Sequence, residues 1–289
     1  MMYRLGILLF LICIVNCVHA QSDTVAIHSN DKKKSIDNFD FKKSLVIAGL
    51  VVQQTGSTLI EYDWWWKSTA QPFHFEKDGF WNNYSLGLDK FGHAFTSYAF
   101  TVAINESMKW ADFSEKTRIY TGIALPAFWA LSIEIGDAMS PYGFSLTDLA
   151  ANFSGIAYGT LQEKYPSLKN VMFKYSYYPA ERNFRLSERY DYHIYWLTFN
   201  MHNILPSGIG RYWPEIINLA AGYGIEGWNS APPLRREFMV GIDLNLQALK
   251  TKNKTLTAIR NSLDIFHIPM PGIKYTEDKG TSKHWLLFY

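Results

Sequence analysis

Residues 44–60 and 119–133 carry no charge. Around the second of them, apolar and polar positions recur at helical spacing and predict three helices, over about 86–111, 115–139 and 146–163. Pro126 inside the second predicts a kink or break. The connection Ser140-Pro141-Tyr142-Gly143-Phe144-Ser145 is short and turn-rich, so the second and third helices should be antiparallel neighbours. Residues 44–60 predict a further helix, close to the shortest length that crosses a bilayer. Gln53, Gln54 and Gly56 interrupt it, which favours a packed helix over a membrane span. The run Trp64-Trp65-Trp66 follows. Three consecutive rings point in different directions on any regular element, so some should face the core and some a second surface.

Beyond Pro166 the pattern changes. Tyr175, Tyr177, Tyr178, Tyr190, Tyr192, Tyr195 and Trp196 make a tyrosine-rich stretch, and later segments alternate with period two. Phe238, Val240, Ile242, Leu244 and Leu246 would share one face of a strand, and residues 217–228 predict a weaker, glycine-containing one. The aromatic end, from His284 to Tyr289, resembles the closing strand of outer-membrane barrels. Only three or four segments read as strands, too few for an eight-stranded barrel. The expected fold is therefore mainly α. A compact bundle of apolar helices over about 44–163 is followed by a tyrosine-rich α+β tail with a few strands. As domains this gives a helical unit at 43–165 and an aromatic-rich region at 166–289 packed on it.

The first 20 residues read as a secretory signal: Arg4, an apolar run over 5–18 broken only by Asn16, and Val18-His19-Ala20 at the cut. The mature chain would begin at Gln21 with a flexible polar leader to about residue 42. Both cysteines, Cys13 and Cys17, fall in the signal, preceded by Ile12 and Asn16 rather than the small residue that lipidation needs. The mature chain then has no thiol for a disulfide, a nucleophile or a zinc ligand. Charged residues make 19% of the chain against roughly 25% in an ordinary globular protein. The net charge is +2, with no basic tract beyond Lys32-Lys33-Lys34, which argues against nucleic acid as a partner. Aromatic residues make 16%, a density suited to membrane interfaces, sugar faces or a large aromatic core.

The polar residues of the three helices are the candidate chemistry. Asp89, His93 and Ser97 are spaced by four and stack on one helix face. Glu134 and Asp137, spaced by three, stand in an otherwise apolar stretch. Asp148, Asn152, Gly155 and Gly159 share a face of the third helix. Polar groups on such apolar helices cost several kcal/mol unless partnered, so these groups should point at one another, with the two glycines letting backbones approach. His93 is expected beside Glu134 or Asp137. Ser145-x-x-Asp148 fits a capping box. Asp89 suits the positive end of its helix, and Lys90 reads as a solvated neighbour.

The ordered set Asp89-Lys90-x-x-His93, Glu134-x-x-Asp137 and Ser145-x-x-Asp148-Leu149 resembles the YfiM-like family of predicted periplasmic lipoproteins and, more distantly, the VanZ-like membrane family, over residues 85–163. Two features depart from the pattern: the lipidation cysteine is missing, and Asp137 stands where VanZ-like proteins tend to have an amide. The resemblance implies a cell-envelope address and a motif, but no reaction.

Three functions compete. The first is a non-catalytic exported envelope protein, in the periplasm or associated with the outer membrane (alternatively the inner membrane). Its polar groups, Ser97, Ser145, Asp148 and Asn152 included, would form a buried network, and its aromatic surfaces would meet a membrane surface or an envelope component. The second is a hydrolase or transferase acting on a lipid-linked or phosphorylated substrate. His93 would then be a general base or metal ligand, with Asp89, Glu134 and Asp137 orienting it or binding a divalent ion. The third is a glycan-binding module using the tryptophans and tyrosines. The sequence has no glycine-rich phosphate loop, nucleophile elbow or His-x-x-x-His pair, so it assigns no cofactor.

Overall fold

A computed structural model describes residues 40–178, 189–228 and 233–287. Residues 1–39, which hold the expected signal and most of the leader expected over 21–42, and Phe288 and Tyr289 lie outside the described residues. Helix α1 (Phe41–Glu61) begins three residues earlier than the uncharged run, because Asp40 caps it by accepting from the Lys43 backbone N–H at 3.3 Å. A π-turn (Tyr62–Trp66) carries the tryptophans. Trp65 and Trp66 pack against Trp129, Ala130 and Ile133, while Trp64 stays 42% exposed. Helices α2 (Leu88–Trp110), α3 (Glu115–Asp137) and α4 (Leu146–Lys164) then match the predicted segments to within two residues.

Pro126 does not end α3. A proline removes the hydrogen bond to the carbonyl four residues back, here that of Gly122. The Thr101 hydroxyl of α2 donates to that carbonyl at 3.1 Å, so the helix continues with the acceptor satisfied.

The C-terminal half is a six-stranded antiparallel meander in the order β1 (Val171–Tyr177), β2 (His193–Phe199), β3 (Ile217–Glu226), β4 (Arg235–Leu244), β5 (Gly272–Thr276) and β6 (Gly280–His284). That is more strands than the three or four expected, and Trp285, Leu286 and Leu287 of the aromatic end are not among them. Helical turns α5 (Met201–Ile204) and α6 (Ser207–Gly210) link β2 to β3, and α7 (Lys254–Leu263) precedes β5. The chain leading into β5 links β1 to β4. Tyr175 N–H donates to Ile265 O and His267 N–H to Tyr175 O, each at 2.9 Å, and Ile242 N–H donates to Pro271 O at 3.2 Å.

The sheet buries polar groups on one face and shows apolar groups on the other. Lys174, Trp196, Met239, Glu237 and Asp243 lie inside. The face shared by Phe238 and Val240 is the open one: Leu197, Val240 and Ile273, linked across the sheet through Ala221, are all exposed. Part of this outer face is covered by α2, whose Phe91 and Phe95 pack on Tyr175, Tyr195 and Tyr223 with ring centroids 5.1–6.2 Å apart. Helix α2 is thus shared, with Phe91 and Phe95 on the sheet and Lys90, His93 and Ser97 turned to the bundle.

Candidate functional site

The lead-in to α2 sets the site. Asn83 Oδ1 accepts from the Ser85 N–H, the Ser85 hydroxyl and the Gly87 N–H at 2.7–3.1 Å. Gly87 (φ +85°) takes the left-handed conformation that the turn requires, and the Ser85 hydroxyl accepts the Asp89 N–H at 3.1 Å. The first two turns of α2 then present Asp89, Lys90 and His93 towards the N-terminus of α4.

Lys90 is not solvated. It is 1% exposed, and its ammonium lies 3.0 Å from Asp89 Oδ2, 2.5 Å from Asp148 Oδ1 and in contact with Asp78 Oδ2. Carboxylates from three chain segments surround it, and their attraction outweighs the burial cost that a lone lysine would suffer. Burial disfavours its charged form, but Asp89 and Asp148 hold its pKa above the ordinary lysine value.

His93 meets different partners from those expected. Its Nε2 is 3.7 Å from Asp89 Oδ1 and 3.6 Å from Asp148 Oδ1, and its Nδ1 is 3.2 Å from Asn152 Nδ2. Asn152 Oδ1 accepts from the Ser97 hydroxyl at 2.7 Å. Burial lowers the imidazolium's stability, yet Asp89, Asp148 and Glu134 together hold the His93 pKa above its usual value. Asp89 feels burial most. The charges of His93 and Lys90 outweigh that and hold its pKa below the ordinary carboxyl value, while burial leaves that of Asp148 raised.

Glu134 and Asp137 reach His93 through charge rather than contact, because each is committed elsewhere. Glu134 Oε2 accepts the Ser145 N–H at 3.0 Å, and Asp137 Oδ1 accepts the Trp66 indole N–H at 2.8 Å. Burial raises their pKa values to about 7 and about 6. Ser145 does cap α4, accepting the Asp148 N–H at 3.1 Å. The reciprocal bond of the capping box comes from Glu134 of α3, which frees the Asp148 carboxylate for Lys90. Sequence reasoning missed Asp78, Trp66 and Tyr190, whose hydroxyl donates to Asp89 Oδ1 at 3.0 Å. Tyr190 is 101 positions from Asp89, and no local spacing signals such a pair.

These three helices and their buried polar groups define a small helical module with a pre-formed acid–lysine–histidine cluster. Residues 77–164, which contain α2, α3 and α4, match the family described as predicted periplasmic lipoprotein (DUF2279), so this part of the chain is similar to that family. No curated protein and no solved structure matches the chain.

A second buried acid borders the site. Glu61 Oε1 accepts the Trp129 indole N–H at 2.8 Å, and its Oε2 is buried with no hydrogen-bond partner. Burial raises its pKa to about 7; the Trp129 bond opposes the rise, and the charge of Asp137 adds to it. A folded pKa above the unfolded value means the native state holds the extra proton between about pH 4.5 and about 7, so the Glu61 contribution to stability falls as pH rises through that window. Glu61→Gln keeps the indole acceptor and removes the titration. It should raise stability at pH 8 by roughly 2–3 kcal/mol and flatten the pH 5–8 profile. Denaturant unfolding at several pH values checks this; an equally sloped profile in the variant would contradict it.

Proposed function

We propose that the protein is an exported, non-catalytic envelope protein that sits against a membrane surface, its helices fixed by the buried polar network. The observation that carries this reading is the outer surface of the helices. Outward positions of α1 (Leu45, Val52, Leu59, Ile60), α3 (Tyr120, Ile123, Leu131, Ile135) and α4 (Leu146, Phe153, Leu161) are exposed and apolar. Residues 44–60, 119–133 and 149–162, which hold all of these side chains except Ile135 and Leu146, contain no charge. Exposed apolar patches this extensive mark interaction surfaces. Helix α3 is long and apolar enough to cross a membrane by length and composition, with half of that window buried inside the protein. The resemblance of the helical motif to envelope and membrane families and the secretory reading of residues 1–20 support the same address.

The chain starting at Gln21 should float with phosphatidylethanolamine–phosphatidylglycerol vesicles on a density gradient and stay bound in 1 M salt. Val52→Glu combined with Leu131→Glu and Ile135→Glu should abolish flotation and leave the unfolding midpoint within a few degrees of the parent, since all three side chains are exposed. A parent that stays at the bottom of the gradient would refute the reading.

The alternative, a hydrolase or transferase acting on a lipid-linked or phosphorylated substrate, has one observation in its favour. The His93 side chain keeps 19% of its surface open among raised-pKa acids.

A further inference from the structure

We propose that Asp89, His93 and Asp148 form a binding site for a first-row divalent metal ion. One donor atom from each lies within 4.8 Å of the others. The His93 Nε2 separations of 3.7 Å and 3.6 Å from Asp89 Oδ1 and Asp148 Oδ1 are too long for hydrogen bonds. They suit donors that share an ion. With bonds of about 2.1 Å, two donors at a tetrahedral angle stand about 3.4 Å apart. The site therefore closes on a cation with shifts of a few tenths of an ångström at the histidine and at most about 1.4 Å between the carboxylates, within reach of side-chain rotation. Two carboxylate oxygens and one imidazole nitrogen suit zinc or manganese.

The surroundings are those a metal-bound histidine uses. Asn152 lies between the Ser97 hydroxyl and His93 Nδ1. A hydroxyl can donate or accept, so the amide can turn over and keep both bonds. Its carbonyl then accepts from Nδ1–H, and the Nε2 lone pair faces the two carboxylates. Tyr190 and Lys90 hold the Asp89 carboxylate in the same manner, one on each oxygen.

A separate feature also points to a cation. Glu134 is 1% exposed, and its Oε1 is buried with no hydrogen-bond partner. Its strongest charge interaction is with His93, and Asp148 is among the next. Lys90 is shared by Asp78, Asp89 and Asp148, and these three carboxylates exceed it by two charges, which one divalent ion would balance. Lys90 shares Asp148 Oδ1 with the proposed ion. The two cations compete there, and removing the lysine charge should tighten binding.

The test uses the chain from Gln21 in chelator-free buffer, with zinc chloride and manganese chloride as probes. Equilibrium dialysis should find one zinc or manganese ion per chain. His93→Gln and Asp148→Asn should each weaken binding at least tenfold, while His284→Gln, on the exposed strand β6, should leave it unchanged. Lys90→Met should strengthen it. Should a variant fail to fold, X-ray absorption at the zinc edge of the parent decides, with one imidazole and the rest oxygen donors expected. Less than stoichiometric binding of both probes, or bound zinc with no imidazole, overturns the proposal. So does unchanged affinity in a folded His93→Gln protein.

Discussion

Gly155→Ala should destabilise the protein by about 3 kcal/mol or more, the upper end of what overpacking costs. A Cβ on Gly155 would stand 1.9 Å from Ala94 O, 2.9 Å from Ala94 C and 3.0 Å from Tyr98 N. All three are backbone atoms of α2, and no side chain can swing aside to make room. Helices α2 and α4 would have to separate, and the Ser97–Asn152 and Lys90–Asp148 bonds cross that same seam. The variant should therefore loosen the polar cluster as well as the packing. Gly49→Ala is the control, because nothing lies within 4 Å of its Cβ position. There, helix propensity predicts a gain of roughly 0.5–1 kcal/mol. Denaturant unfolding of both variants beside the parent gives the comparison. A loss below about 1 kcal/mol at Gly155 would show that the seam yields more easily than backbone contact allows.

The same seam shows what could be read from the chain and what could not. The helices were legible because uncharged runs, a serine cap and a short turn are local signals, and Ser145 caps where such a signal places it. Glycines and polar groups at spacings of three and four gave the meeting of α2 and α4. Lys90 was misread because its three acids lie 12, 1 and 58 positions away, and a lysine next to an aspartate on a helix is normally solvated. His93 went to Asp89 and Asp148 rather than Glu134 because Glu134 is held by the N-terminus of α4. The strands were under-read for a different reason. Strand β2 is buried on nearly every residue and does not alternate, while β5 and β6 are short and polar. Strand β1 carries Lys174, which looks like a surface residue until its partners 69 and 90 positions on are placed beside it.

Those partners make Lys174→Met the other large effect. The Lys174 ammonium lies 2.7 Å from Asp243 Oδ2, 2.5 Å from Asp264 Oδ1 and 3.1 Å from Leu244 O, and all three charged side chains are fully buried. Among the described residues no neighbouring lysine or arginine can replace it. His267, stacked on Trp196 at 4.0 Å, has its pKa lowered to about 3, first by burial, which the variant leaves in place, and then by Lys174. Removing one partner of a buried ion pair leaves an uncompensated charge and typically costs 3–5 kcal/mol, which is about the loss expected here. Lys90→Met should cost less. Asp89 and Asp148 keep 11% and 12% of their side-chain surface, and His93, its pKa held above the usual value, stands beside both. The double variant Lys174→Met with Asp243→Asn should recover part of the loss, because the second change removes one of the stranded charges. Equilibrium unfolding in guanidinium at neutral pH ranks the three. If Lys90→Met proves the more damaging, or the double variant is no better than Lys174→Met alone, the stranded-charge account of the sheet fails.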